Sequence, residues 1–172
     1  MKTCIGLLSD THGTLDERAL TIFKQAQVGA IIHAGDIGPA SILHELEAIA
    51  PVVAVLGNND VNMLGYDLNS IELRTFNGVR VQVVHNFKDT TFDGTKDVIV
   101  CGHSHRPVNV VEPRSGILVV NPGSVTRPRG IPAGPSVALL DVANPQKPVA
   151  QIVYLEEFDA AISCGGGAKG AN

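Results

Sequence analysis

The sequence predicts a mixed α/β sandwich, two β-sheets packed face to face with helices outside. Over the first 57 residues, compact apolar runs alternate with helical patterns, as in parallel strands covered on both faces. Beyond about Gly65, short runs separated by turn signals take over, the pattern of hairpins. A chain of 172 residues suits one domain, expected over residues 1–160, with the Gly-rich stretch 161–172 as a flexible tail.

Lys2 to Ser9 is the first apolar run. Leu15 to Gln27 repeats Leu15, Ala19, Leu20, Ile22, Phe23 and Ala26 at helical spacing, and Thr14 with Glu17 has capping-box form. Ala30 to Ala34 is a second run, Ala40 to Ala50 a second helix, and Val52 to Leu56 a third run. Ser70 to Phe76 and Val79 to Val84 alternate on either side of Asn77-Gly78, a two-residue hairpin signal. Asp97 to Cys101 is a short buried run. Val108 to Glu112 and Ile117 to Val120 flank a Pro-Arg-Ser-Gly turn, and Ser136 to Val142 and Val149 to Leu155 flank Asn-Pro-Gln-Lys-Pro. The Pro- and Gly-rich stretch from Arg127 to Pro135 reads as an ordered loop.

Composition narrows the function. Apolar residues make up 44% and charged residues 17%, which excludes a disordered chain or a coiled coil. A net charge of −4 argues against a binder of extended nucleic acid or acidic membrane. Cys4, Cys101 and Cys164 are too few and scattered for a disulfide framework or a thiolate metal site, and the first two read as small buried hydrophobes. The opening apolar stretch is too short for a signal peptide and no apolar run nears membrane-spanning length, so a cytoplasmic protein is expected.

The chemistry gathers where the apolar runs end. The first ends in Asp10-Thr11-His12-Gly13, the second in Gly35-Asp36, and the third in Gly57-Asn58-Asn59-Asp60. The run from Val79 ends in His85, and the run to Cys101 ends in Gly102-His103-Ser104-His105. Each piece alone is compatible with a polar turn or a capped helix. Together they place Asp, Asn and His at the C-terminal ends of five strands, the edge where α/β sheets gather ligands, and favour one shared metal site.

In this order the motifs resemble the calcineurin-like metallophosphoesterases. The chain length and Asn121-Pro122-Gly123-Ser124 resemble the small YfcE-type phosphodiesterases. The resemblance implies a four-layer αββα sandwich of two mixed β-sheets flanked by helices. It also implies two divalent transition metals, Mn²⁺ first, with Fe, Zn²⁺ or Ni²⁺ also suited to nitrogen and oxygen ligands. Asp10, His12, Asp36 and His105 would hold one ion. Asp36, Asn58, His85 and His103 would hold the other, with Asp36 bridging. Asp36, Asn58 and His103 are then the expected catalytic positions, and a metal-bridging hydroxide would attack a small phosphate ester.

Two departures stand out. Where many relatives carry a His that protonates the leaving group, this chain has Asn59, which cannot act as a general acid. Where the family usually shows His-Gly-His, this chain reads His85-Asn86-Phe87. Asn59, Arg127 and Arg129 are the candidate substrate contacts, the arginines through a loop able to grip phosphate. Ser9, Ser104 and Ser124 read as turn and cap hydroxyls, and His33 as a core histidine. The competing reading is a scaffold subunit of the same fold, resembling retromer Vps29. Scaffold drift should show as lost ligands, and all seven positions here are compatible with metal. A structural single-metal site leaves Asn58 and His85 unexplained. A homo-oligomer is a prior only.

Overall fold

Strands form where the apolar runs stand, with ends trimmed by a residue or two. The computed structural model describes residues 2–60, 65–131 and 134–158. The elements run β1 (Cys4–Leu8), α1 (Glu17–Gln25), β2 (Ala30–His33), α2 (Ser41–Glu47), β3 (Val52–Ala54), β4 (Ile71–Phe76), β5 (Val79–Val84), β6 (Val98–Val100), β7 (Val108–Val111), β8 (Leu118–Asn121), β9 (Ser136–Asp141) and β10 (Val149–Tyr154). The expected tail lies outside the described residues.

The start of α1 differs from the expected capping box. Asp16, not Thr14, is the N-cap: its carboxylate accepts the Arg18 N–H at 2.9 Å and pairs with the Arg18 guanidinium at 2.8 Å. Thr14 instead closes a turn, its N–H donating to the Thr11 carbonyl at 3.0 Å. An ionised acceptor that also pairs with the first-turn arginine outcompetes a hydroxyl for the same orphan donors.

The first sheet has the order β10-β9-β1-β2-β3, and the second β4-β5-β6-β8-β7. β1, β2 and β3 are parallel, and so are β5, β6 and β8. The hairpins β4–β5, β7–β8 and β9–β10 are antiparallel, so both sheets are mixed. Between the sheets, Ile5, Leu7, Ile32 and Leu140 of the first meet Val81, Val83, Val98 and Val120 of the second. Ala19, Ile22 and Phe23 of α1 and Ile42, Leu43 and Leu46 of α2 cover the first sheet's outer face. Each large apolar side chain so buried contributes about 1.5–3 kcal/mol relative to leaving it exposed.

The second sheet's outer face is covered more thinly. Val84, Ile99, Cys101, Ile117 and Val119 form a small cluster there. Among the described residues the only helical element after β5 is a 3-10 turn over Phe87–Asp89. The stretch between β5 and β6 is rich in Asp and Thr, with no apolar stripe for a helix to bury. Cys101 is a free, buried thiol, and burial, aided by the Asp10 charge, pushes its pKa up to about 12. Cys4 is equally buried, as its reading as a small buried residue expects. No helix of the described residues is long and apolar enough to cross a membrane.

Candidate metal centre

The parallel strands β1, β2 and β3 end at the same edge as β5 and β6, and the loops leaving that edge carry the seven metal-ligand candidates. Those loops bond to one another through the backbone. The Asp10 N–H donates to the Gly35 carbonyl at 3.0 Å, His12 to Asp36 at 2.9 Å, Gly13 to Ile37 at 2.9 Å, and Gly102 to His85 at 3.0 Å. Close approach explains two glycines: a Cβ on Gly57 would overlap Asp36, and one on Gly102 would overlap the Ser9 hydroxyl.

The backbone here is strained. Asp10, His12, Asp36, His103 and His105 all have positive φ, between 47° and 65°. The other described non-glycine residues of this kind are Gln27, just past α1, and Asn77, in the β4–β5 turn. Left-handed conformations in non-glycine residues cost on the order of 1 kcal/mol or more each and persist only where the surroundings over-determine them.

The first group of side chains is Asp10, His12, Asp36 and His105, whose ligand atoms lie within 4.8 Å of one another. The Nε2 of His105 is 3.2 Å from Asp10 Oδ1 and 3.3 Å from His12 Nε2, and His12 Nε2 is 3.9 Å from Asp36 Oδ2. On its other side, His105 Nδ1 lies 2.7 Å from the Arg127 carbonyl. A carbonyl only accepts, so Nδ1 carries a proton and Nε2 is the ring nitrogen turned to the cluster. Asp10 Oδ1 is buried and has no hydrogen-bond partner.

The second group repeats this logic. His85 Nδ1 donates to the Ala34 carbonyl at 2.7 Å, and its Nε2 stands 3.1 Å from Asn58 Oδ1 and 3.5 Å from Asp36 Oδ1. His103 Nδ1 lies 2.9 Å from the same Asn58 oxygen. Asp36 therefore touches both groups, Oδ2 facing His12 and Oδ1 facing His85. Converging lone pairs around an orphaned carboxylate oxygen fit a cation, and an all-nitrogen-and-oxygen set fits a divalent transition metal.

The two carboxylates differ electrostatically. Burial dominates at Asp10 and raises its pKa, against the Ser9 hydroxyl, which donates to Oδ2 at 2.7 Å. At Asp36 burial acts the same way but is outweighed. Hydrogen bonds from the Asn59 backbone at 2.9 Å and side chain at 2.6 Å, with the nearby His85 and His12, hold its pKa below the ordinary carboxylate value. Burial, with the neighbouring Arg127, lowers the His12 pKa and favours the neutral ligand form.

All seven candidate ligands come together. Asn59, expected at the substrate, lines the small cavity over the cluster and donates its amide to Asp36. Arg127 and Arg129 are exposed and line, with His12, Asp36, Asn58 and His103, a cavity of ≈ 190 Å³ over the cluster. Ser124 is buried, donates to the Asp10 carbonyl at 2.7 Å and accepts the Arg127 N–H at 2.9 Å, so it braces the arginine loop against the first ligand. His33 is fully buried, with Nε2 2.9 Å from the Thr11 hydroxyl. The supporting role that sequence reasoning left open is that of Asp60. It accepts the N–H groups of Ile37, Gly38 and Gly57, and a carboxylate just after Gly-Asn-Asn was its only signal.

Residues 3–145 match the model of the calcineurin-like phosphoesterase superfamily domain. The chain belongs to this family. A probable metallophosphoesterase of Methanocaldococcus jannaschii is 32% identical over 171 residues, covering 89% of this chain and 82% of the relative. The phosphodiesterase YfcE of Escherichia coli is 30% identical over 147 residues, covering 71% of this chain and 79% of its own. A solved structure of YfcE superposes with a TM-score of 0.67 at 26% identity, covering 88% of this chain and 99% of that one. Vps29 of Chaetomium thermophilum superposes with a TM-score of 0.68 at 18% identity, over 88% of this chain and 96% of that one, a likeness of fold alone. The calcineurin-like phosphoesterase fold, with two mixed five-stranded sheets, is thus the architecture the motifs implied.

Proposed function

We propose that this phosphoesterase hydrolyses small phosphodiesters at a two-metal centre. Asp10, His12, Asp36 and His105 would hold one divalent ion, and Asp36, Asn58, His85 and His103 the other, Mn²⁺ being the first ion to try. The observation that carries this reading is the position of Asp36, with one carboxylate oxygen toward each group of donors. When bound, the ions would supply the charge that ionises a water near neutral pH and stabilises the phosphoryl oxygens.

The chain's own residues do the rest. Carbonyls of Ala34 and Arg127 hold the Nδ1–H of His85 and His105, so each ring presents its Nε2 to the cluster. Asn59 holds the Asp36 carboxylate in one rotamer and, as an amide, supplies no proton to a leaving group. Arg127 and Arg129 stand where phosphate oxygens would enter the cavity. Hydroxide adds to phosphorus, the phosphorus–oxygen bond to the leaving group breaks, and the departing oxygen takes its proton from water. Esters with acidic leaving groups are therefore the better substrates. The scaffold alternative rests on the Vps29 likeness, which speaks for the fold.

The test is direct. Purified protein should take up about two Mn²⁺ per chain by calorimetry and hydrolyse bis-p-nitrophenyl phosphate, and Asp36→Ala should abolish both, since it removes the shared ligand. A chain that neither takes up metal nor cleaves the diester refutes the enzyme and promotes the scaffold.

A further inference from the structure

The cavity over the metal cluster is small. At ≈ 190 Å³ it is below the about 300–1,000 Å³ usual for organic ligands, room for a phosphate but not for a bulky ester arm. Beside it lies a larger one of ≈ 620 Å³ on the outer face of the second sheet, where no helix of the described residues sits. His103 lines both cavities, so its exposed ring is their shared wall. The groove is apolar: Cys101 and Val119 form its floor, and Val110 (53% exposed) and Phe87 (41% exposed) stand along it. Val110 sits directly across from Val119 in the β7–β8 register. Phe87, two residues past His85, is steadied by Phe92, ring centroids 5.9 Å apart.

We propose that this groove is a subsite for an uncharged apolar ester arm, aryl or branched alkyl, of a phosphodiester whose phosphate sits against the metal centre. This rests on the phosphodiesterase reading above. Volume, contiguity through His103 and the apolar floor point to such an arm. Charge disfavours a second anion: Glu112 lines the groove, and among the described residues no lysine or arginine does. A nucleotide polyphosphate or an acidic peptide would meet that carboxylate without a counter-charge. The groove thus sets specificity on the organic side of the ester, while the metal cluster and Arg127 handle the phosphate.

The test is calorimetric titration of the Mn²⁺-loaded protein with phenylphosphonate and methylphosphonate, which share a headgroup and differ in the arm. Burying a phenyl ring in an open groove should tighten binding about tenfold over methyl. Val110→Asp should erase that preference and leave methylphosphonate binding unchanged. Phe87→Ser, on a separate element, should do the same and guards against a local folding defect in the first variant. Equal affinities in the unmodified protein overturn the subsite and leave the phosphoesterase reading standing. Failure of both phosphonates to bind overturns both readings. A dimer in light scattering that Val110→Asp dissociates, with no phenyl preference in the parent, assigns the groove to a second copy and likewise overturns the proposal.

Discussion

Asp60 provides a sharp test of how the centre is held. Its Oδ1 accepts the N–H groups of Ile37 at 2.7 Å and Gly38 at 3.0 Å, and its Oδ2 accepts that of Gly57 at 2.8 Å. The residues it grips flank Asp36 on one side and Asn58 on the other, so one carboxylate locks the loop after β2 to the loop after β3. Hydrogen bonds to a charged group are worth roughly 1.5–3 kcal/mol each. Asp60 is only half-buried and water refills part of the loss, so Asp60→Ala should cost about 2–4 kcal/mol rather than the full sum. Asp60→Asn is the finer probe. It keeps one acceptor oxygen but sets an NH₂ against a backbone N–H, and should cost about 1–2 kcal/mol. Urea unfolding of the metal-free protein reads the stability, where the midpoint should fall with the slope unchanged. Calorimetric titration with Mn²⁺ reads the second effect, a loss of about 10–100-fold in affinity, as expected when a group orienting metal ligands is removed. If Asp60→Asn stays within about 0.5 kcal/mol of the parent and binds Mn²⁺ equally well, the clamp is not what positions Asp36 and Asn58.

The same geometry carries two more expected outcomes. Burial, reinforced by the nearby His85, lowers the His33 pKa to about 3, far below the 6.5 of a free histidine. Below pH 6.5 the unfolded chain therefore takes up a proton the native chain refuses. The stability His33 confers is full above that pH and falls by about 1.4 kcal/mol per unit as pH drops toward 3. His33→Gln should flatten that slope in urea unfolding at pH 7, 6, 5 and 4, and an unchanged slope would show that other groups carry it. Gly57→Ala places a methyl where Asp36 already stands, so it should destabilise the fold by about 1–3 kcal/mol and weaken Mn²⁺ uptake at least tenfold. A fully stable Gly57→Ala protein with parental metal affinity would contradict the packing at that contact.

The strands were legible because their signal is local: Val79–Val84 occupies the range its alternation marks, and the Asn77-Gly78 turn joins it to β4. The gathering of Asp, Asn and His at one edge was legible for a topological reason, since parallel strands deliver their C-terminal loops to one edge and a side chain after each needs no other coincidence to meet the rest. What the sequence hid depends on partners far away in the chain. Thr14 and Asp16 both look like caps, and the choice is made by Arg18 pairing with the stronger acceptor. Asp60 carries no mark of its role beyond its place after Gly-Asn-Asn, because its partners are backbone N–H groups, which every residue has. Asn59 lines the cavity where substrate was expected, and what its sequence position did not show is that its amide also bonds Asp36 and reinforces that ligand. The groove beside His103 arises where no α-helix of the described residues covers the second sheet, and no single motif encodes that.

The strain and the spacing of the ligands have one cause. In an extended strand, residues two apart point the same way but sit nearly 7 Å from each other, too far for both to reach one ion. Asp10-x-His12 and His103-x-His105 have that spacing, and all four residues sit in the left-handed region, which curls the chain so that its side chains converge. Asp and His tolerate this conformation better than branched or bulky residues, which helps explain why such positions can carry metal-binding chemistry. With Asp36, five strained residues at about 1 kcal/mol or more each cost a sizeable share of the 5–15 kcal/mol typical of a whole domain. The repulsion among lone pairs adds to that cost until a cation enters, so the pocket cannot be shaped by its own ligands. It is shaped by the groups standing behind them: the backbone bonds to the carbonyls of Gly35, Asp36 and His85, the Asp60 clamp and the Ser124 brace. The ligand geometry therefore belongs to the sandwich edge itself, and residues that never touch a metal should control how tightly one is held.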